Sequence, residues 1–214
     1  EAGGRGEEVI VELAELGQIR QKDLDDHRTN GAVFTPYSVA EELVQQVGID
    51  AQDIVCDPSV GPGGFLLAAA EHKFRQGEAV PSILEALRGI DIDPVTVEVA
   101  RTTLQLWGLW RGHEWLPVNH LIVGDALLDI PDDWFGCCDV VVGNPPFLGQ
   151  LKSDTARNPA RGEVLRERFG ARYTAYLDES MLFLLLGVEL SGERGKVALI
   201  LPASLMGSES SRLA

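Results

Sequence analysis

Apolar positions change their pattern at Asp53. Before it they recur at helical spacing. Val9, Ile10, Leu13, Leu16 and Ile19 alternate with Glu7, Glu8, Glu12 and Glu15. That predicts an amphipathic helix of about three turns, acidic at its positive end. Asp23 to Gly31 reads as a polar connection, so residues 1–30 form an N-terminal helical segment. Thr35-Pro36 signals the start of a second helix, with Val39, Leu43, Val44 and Val47 on one face.

From Asp53 onward, short apolar runs alternate with longer helical ones. Strands are predicted at Ile54–Cys56, Leu87–Ile92, His120–Val123, Asp139–Val142 and Lys196–Leu201. Helices are predicted from Phe65 to about Gln76, from Val95 to about Trp107 and from Tyr173 to Leu190. Strands alternating with helices imply an α/β fold with a doubly wound, mainly parallel sheet. The strands are continuously apolar, as they must be when helices cover both faces. Every strand but the fifth ends in an acid or amide beside Gly or Pro. Ligands of open α/β sheets bind at the carboxyl ends of the strands, so these polar residues converge on one edge.

Composition narrows the class. The 214 residues are 45% apolar and 24% charged, ordinary values that exclude a disordered or collagen-like chain. The longest apolar run, Met181 to Val188, is far short of the roughly 18 residues that span a bilayer. No secretory signal is legible, and three cysteines make neither a disulfide framework nor a zinc spacing. A cytoplasmic, metal-free protein with no membrane partner is expected. His27, His72, His113 and His120 are scattered without ligand spacing, and Trp107, Trp110 and Trp115 read as core before they read as a stacking cluster.

The strand ends carry the chemistry. After the first strand comes Asp57-Pro58-Ser59-Val60-Gly61-Pro62-Gly63-Gly64-Phe65. Its glycines allow close backbone approach to a ligand and start a helix beside it. The dinucleotide fingerprint is broken, because Leu66 stands where its third glycine belongs. Asp57 would repel a pyrophosphate but attract an ammonium group. Asp91, in Gly89-Ile90-Asp91-Ile92-Asp93-Pro94, suits two ribose hydroxyls, whereas Asp93 suits the cap of the next helix. Asp125, in Gly124-Asp125-Ala126, would accept from an exocyclic amine. Together these acids outline a pocket for a nucleoside with an amino-acid tail and no phosphates, which is the outline of S-adenosylmethionine.

The fourth strand ends in Gly143-Asn144-Pro145-Pro146-Phe147. Two prolines fix φ twice and remove two N–H donors. They hold the Pro145 carbonyl beside the Asn144 side-chain oxygen, and two adjacent acceptors can bind the two hydrogens of an NH₂ group. Phe147 offers a face on which a planar base can stack.

In that order these elements resemble the catalytic domain of gamma-class N6-adenine DNA methyltransferases of restriction–modification and phage-defence systems. Phe34-Thr35-Pro36 resembles the family's N-terminal element, which lies against the methionine part of the cofactor. The loop from Asp57 to Phe65 resembles its glycine loop, with Ser59-Val60 for the usual Ala-Cys and Pro62 for the usual Ser. Asp91 with Ile92 matches the ribose-binding site, and Asp125 with Ala126 matches the site that reads the cofactor adenine. Asn144-Pro145-Pro146-Phe147 matches the catalytic motif. The resemblance covers roughly residues 30 to 205. It implies a Rossmann-like S-adenosylmethionine-dependent methyltransferase domain over residues 31–214, with cofactor contacts at Phe34, Thr35, Pro36, Asp57, Ser59, Gly61, Gly63, Asp91, Ile92, Asp125, Ala126 and Asn144. The partner it implies is double-stranded DNA with a flipped adenine, beside a specificity or nuclease domain or subunit. Protein glutamine and RNA guanine methyltransferases share an Asn-Pro-Pro-aromatic element and are the alternative, as is a non-catalytic subunit of the same fold. The family's sheet has seven strands, so a truncation after the fifth, an open edge there and an absent recognition domain are expected.

Charge then enters as a complication. With 33 acidic and 18 basic residues the chain carries −15, which by itself argues against a nucleic-acid partner. The excess is uneven. From Leu148 to Arg172 there are six basic and three acidic residues, a local +3, and the remainder carries −18. This segment follows Phe147 directly, so Lys152, Arg157 and Arg161 are candidate phosphate contacts.

Overall fold

The computed structural model describes residues 9–15, 35–146, 159–170 and 179–203. In chain order its elements are α1 (9–15), α2 (Tyr37–Val47), β1 (Val55–Asp57), α3 (Gly64–Arg75), α4 (Val80–Glu85), β2 (Leu87–Asp91), α5 (Pro94–Trp110), β3 (Leu121–Val123), β4 (Cys138–Gly143), α6 (Pro159–Phe169), α7 (Glu179–Leu190) and β5 (Ser191–Leu199). The five strands form one sheet of order β3-β2-β1-β4-β5, parallel at every pairing. The doubly wound α/β expectation holds.

Side chains alternate across the strands and feed two cores. Val55, Val140 and Val142 face the side covered by α1, α2, α3, α4 and α5, where Ile10, Ala14, Ala40, Val44, Leu66 and Leu104 pack. Cys56, Ile90 and Val141 face the other side, with Leu165 and Phe169 of α6 and Leu182, Leu186 and Leu190 of α7. Residues on both faces are buried, which is why the strands read as unbroken apolar runs. Ile10 and Ala14 belong to the same core as α2 and α3, so α1 packs as part of this body.

Several boundaries move. The buried stripe of α2 is Tyr37, Ala40 and Val44, and Val39 points outward. Aromatic and small side chains, not the valines alone, set that face. α4 was not anticipated; it is a six-residue helix opened by Pro81 in its first turn. α6 lies within the basic segment of residues 148–172, for which no element was predicted. β5 starts five residues before the predicted Lys196, because the ladder is irregular there. Cys138 pairs with Ser191 and Val140 already with Lys196, so the polar Gly192 to Gly195 stretch is an excursion within the strand. Among the described residues β5 is an edge of the sheet, as expected, and its side chains are half-buried or exposed.

One buried polar hub ties α3 to α5. Glu71 is 4% exposed. It accepts from the Trp107 indole N–H (3.1 Å) and pairs with Arg111 and with Arg75. The Arg111 guanidinium lies over the rings of Trp110 (4.0 Å) and Phe74 (4.2 Å), and Phe74 meets Trp107 edge-on. Trp107 is therefore core, while Trp115 is 56% exposed and outside this cluster. Truncation of Glu71 leaves a buried indole N–H and a guanidinium without their carboxylate. Glu71→Ala is expected to cost about 3 kcal/mol. In urea the unfolding midpoint should fall by about 1 M or more. An unchanged midpoint would show the hub to be dispensable.

Candidate active site

The strand order reverses at one place. β2 and β3 extend from one side of β1, and β4 and β5 from the other. Between β1 and β4 the connections leave in opposite directions, opening a crevice at their carboxyl ends. Asp57 ends β1 and Asn144 follows β4, so both stand at that crevice.

Asp57 is fully buried. Its Oδ1 accepts from the Ser59 backbone N–H (2.9 Å) and the Ser59 hydroxyl (3.3 Å). Its Oδ2 is buried with no hydrogen-bond partner. Burial pushes its pKa up to about 7, against the pull of the Ser59 hydrogen bonds. A carboxylate oxygen buried without a donor is costly and marks a place where a cationic donor fits.

The tips of β1 and β4 interlock. A Cβ on Gly143 would stand 2.7 Å from Asp57 Oδ1 and 3.2 Å from Ser59 Oγ. No side chain fits there without displacing the carboxylate. Gly143→Ala is expected to cost about 1–3 kcal/mol, a drop of roughly 2–4 °C in Tm for each kcal/mol. A wild-type melting curve for this variant would contradict the contact.

Asn144 is half-buried. Its Nδ2 donates to Thr35 Oγ1 (3.0 Å), just before α2. Its Oδ1 is buried and has no hydrogen-bond partner. Pro145 is buried and Pro146 half-buried. The Ile200 N–H donates to the Gly143 carbonyl (2.9 Å), fixing the end of β4 against the chain leaving β5.

The other acids follow in register. Asp91 sits at the end of β2, where its burial raises its pKa. Its Oδ2 accepts from the Gly61 N–H (3.1 Å) and its Oδ1 from the Asp93 N–H (3.0 Å). The glycine loop is thereby pinned over β2, with Val60 N–H donating to the Ile90 carbonyl (3.0 Å). Gly61 and Gly63 take φ of +52° and +92°, where glycine is favoured. A Cβ on Gly63 would also crowd Ala100 at 3.2 Å, so this glycine lets α3 start against α5. Ile92 is 58% exposed beside Asp91. Asp93 caps α5, accepting from the Val95 N–H (3.0 Å), as its position suggests.

Asp125 holds an arginine. Its carboxylate accepts from the Leu127 N–H (3.0 Å) and from Arg161 Nε (2.6 Å), and Arg161 also pairs with Glu179. The side chains of Arg161 and Asp125 are each 13% exposed. Arg161 therefore points inward between two carboxylates and does not stand at the surface as a phosphate contact would; the charge imbalance of its segment gave no sign of those partners. Ala126 is buried in the second core. Ser59 turns its hydroxyl to Asp57. Phe34, Phe147, Lys152 and Arg157 lie outside the described residues. Sequence reasoning missed Gly143, although its place between the last apolar residue of β4 and Asn144 was a usable signal. It also missed the Thr35–Asn144 bond, which joins residues 109 apart and leaves no local trace.

Among the described residues there is no cluster of three or more metal-ligating side chains, and no helix is long and apolar enough to cross a membrane.

The chain is similar to known proteins in sequence and in fold. The model of the N-6 DNA Methylase family matches residues 20–212. The chain is 27% identical over 194 residues to the type I restriction enzyme EcoEI methylase subunit of Escherichia coli, covering 88% of this chain and 36% of that protein. It is 23% identical over 186 residues to the type II restriction enzyme and methyltransferase RM.BcgI of Heyndrickxia coagulans, covering 85% of this chain and 25% of that protein. The chain thus spans about a third or less of these relatives. Among solved structures, a Vibrio vulnificus YJ016 protein assigned as a modification subunit of a type I restriction enzyme superposes with a TM-score of 0.65. It is 22% identical and matched over 95% of this chain and 42% of its own. That likeness is one of fold.

Proposed function

The chain belongs to the N-6 DNA methylase family, and from that premise we propose that it moves the methyl group of S-adenosylmethionine to the N6 of adenine in DNA, within a restriction–modification or related defence system. The observation that carries the reading is the Asn144 amide. It stands at the switch-point crevice with its nitrogen engaged by Thr35 and its buried oxygen unpartnered.

The residues present fit the cofactor. Asp57 Oδ2, buried without a donor, suits the ammonium of its amino-acid tail. Asp91 suits the ribose hydroxyls and exposed Ile92 the face of the cofactor adenine; Asp125, whose two oxygens are held by Arg161 and the Leu127 N–H, would meet its amino group only where Arg161 gives way. Thr35 and Pro36 lie beside Asn144, where the methionine part would end. When bound, S-adenosylmethionine supplies an electrophilic methyl on a sulfonium sulfur. Asn144 Oδ1 and the Pro145 carbonyl accept the two hydrogens of the target amine, leaving its lone pair directed at that methyl. Orientation and electrostatic support of the charge developing on nitrogen supply the catalysis. The target adenine must leave the duplex to reach Asn144, and Phe147 is the stacking surface for it. Lys152 and Arg157 are the proposed phosphate contacts. A specificity or nuclease domain or subunit is the proposed partner, in keeping with the type I and type II enzymes this chain is similar to.

The test is transfer of labelled methyl by the full-length native protein to unmethylated DNA, ribosomal RNA and a glutamine-bearing release factor, followed by hydrolysis. Label in N6-methyladenine from DNA is expected. Label confined to RNA guanine, protein glutamine or DNA cytosine would overturn the reading.

A further inference from the structure

We infer that Thr35 is a positioning residue for Asn144: its hydroxyl holds the carboxamide with the nitrogen turned aside, leaving Oδ1 as the acceptor for the target amine. The inference deepens the proposed function and rests on it.

A primary amide has nearly the same shape when rotated by half a turn, but its oxygen and nitrogen exchange places. The two orientations are opposite in chemistry. With Oδ1 toward the target amine, the amide accepts an N–H and leaves the lone pair on the amine free. With Nδ2 there, the amide donates to that lone pair and ties up the electrons needed for attack. The orientation present has Nδ2 donating to Thr35 Oγ1 at 3.0 Å, and Oδ1 buried without a partner.

Thr35 is well placed for this. Pro36 follows it and restricts its backbone to extended conformations. Pro36 is also the N-cap of α2, whose Tyr37, Ala40 and Val44 are locked into the first core. The hydroxyl thus lies at the start of a helix, while Asn144 follows the end of β4, where the Gly143 carbonyl accepts from the Ile200 N–H. This bond joins two elements through residues 109 apart in sequence. A contact with the cofactor would depend on Thr35 through binding, whereas a bond to Asn144 acts on the chemical step.

The experiment compares Thr35→Val, Thr35→Ala and Thr35→Ser in the full-length protein. Single-turnover methyl transfer is measured with both substrates saturating, and KM for each substrate is measured separately. Thr35→Val and Thr35→Ala should lower the rate of transfer at saturation about tenfold or more, with KM for the acceptor within about threefold of wild type, a loss separate from any rise in cofactor KM. Thr35→Ser, which keeps the hydroxyl, should recover most of the rate. A second readout needs no turnover: the Asn144 side-chain N–H₂ resonances, identified by their loss in Asn144→Ala, should shift and lose exchange protection in Thr35→Val and not in Thr35→Ser. Equal transfer rates with unmoved resonances would overturn the inference, as would a change in cofactor KM alone. If wild type methylates an acceptor other than DNA adenine, the proposed function fails; the same comparison on that acceptor, with the resonances, still decides the role of Thr35.

Discussion

Asn144→Ala is expected to lower methyl transfer by the full-length protein about 10²–10³-fold or more, the loss that follows removal of one preorganised group at a reacting centre. Alanine removes the acceptor proposed for the target amine, while Asp57, Asp91 and the glycine loop, which would hold most of the cofactor, are untouched. Cofactor affinity, read by calorimetry, should stay within about threefold. The bond to Thr35 is also lost. One such hydrogen bond contributes about 1 kcal/mol, so the fold should survive. Full turnover by this variant would remove Asn144 from its proposed role.

Asp57→Asn should separate stability from binding. The carboxylate is fully buried and its pKa is pushed up to about 7. A raised native pKa means that the folded chain holds a proton the unfolded chain has already released. Stability therefore falls as pH rises from about 4 to about 7, and is flat above. At pH 8 the charged group weighs against folding by up to about 4 kcal/mol, since each pKa unit is about 1.4 kcal/mol. The amide can still accept from Ser59, and it carries no charge. A gain of about 1–3 kcal/mol at pH 8 is expected, and little change at pH 5. The same substitution removes the partner proposed for the cofactor ammonium, so affinity should fall about 30-fold or more. In wild type the affinity should weaken by about tenfold for each pH unit below 7, as Asp57 takes up its proton. Thermal melts and calorimetry across pH 5–8 give both results. A variant less stable than wild type at pH 8, or a pH-independent affinity in wild type, would contradict the assignment.

The strands and the acids at their ends were legible because both are local signals. Apolar runs closed by Asp-Pro or Gly-Asp mark a strand and its tip, so β1 to β4 stand within a residue or two of their predicted bounds. The start of β5 was not legible. Ser191 to Gly195 is polar and glycine-rich, and only an irregular pairing with β4 makes it strand. The inward turn of Arg161 was hidden for a related reason. A basic residue in a polar segment reads as solvated until the fold brings Asp125 and Glu179 to it from elsewhere in the chain. Thr35 was read as part of a cofactor element. Its bond to Asn144 depends on how α2 meets the end of β4, which no window of sequence contains.

The strand order also bears on how the chain reaches its native state. β1 lies between β2, which soon follows it, and β4, whose Asp139 and Val140 meet Ile54 some 85 residues further on. During synthesis the half-sheet of β1, β2 and β3, with α3 and α5 upon it, can close while β4 is still to be made. The crevice has one wall at that stage, and Asp57 has no Gly143 against it. Distant parallel pairing carries a large loop-closure cost before it is rewarded. Pairing of β4 with β1 is thus expected to follow pairing of β1 with β2, and the catalytic geometry waits on it.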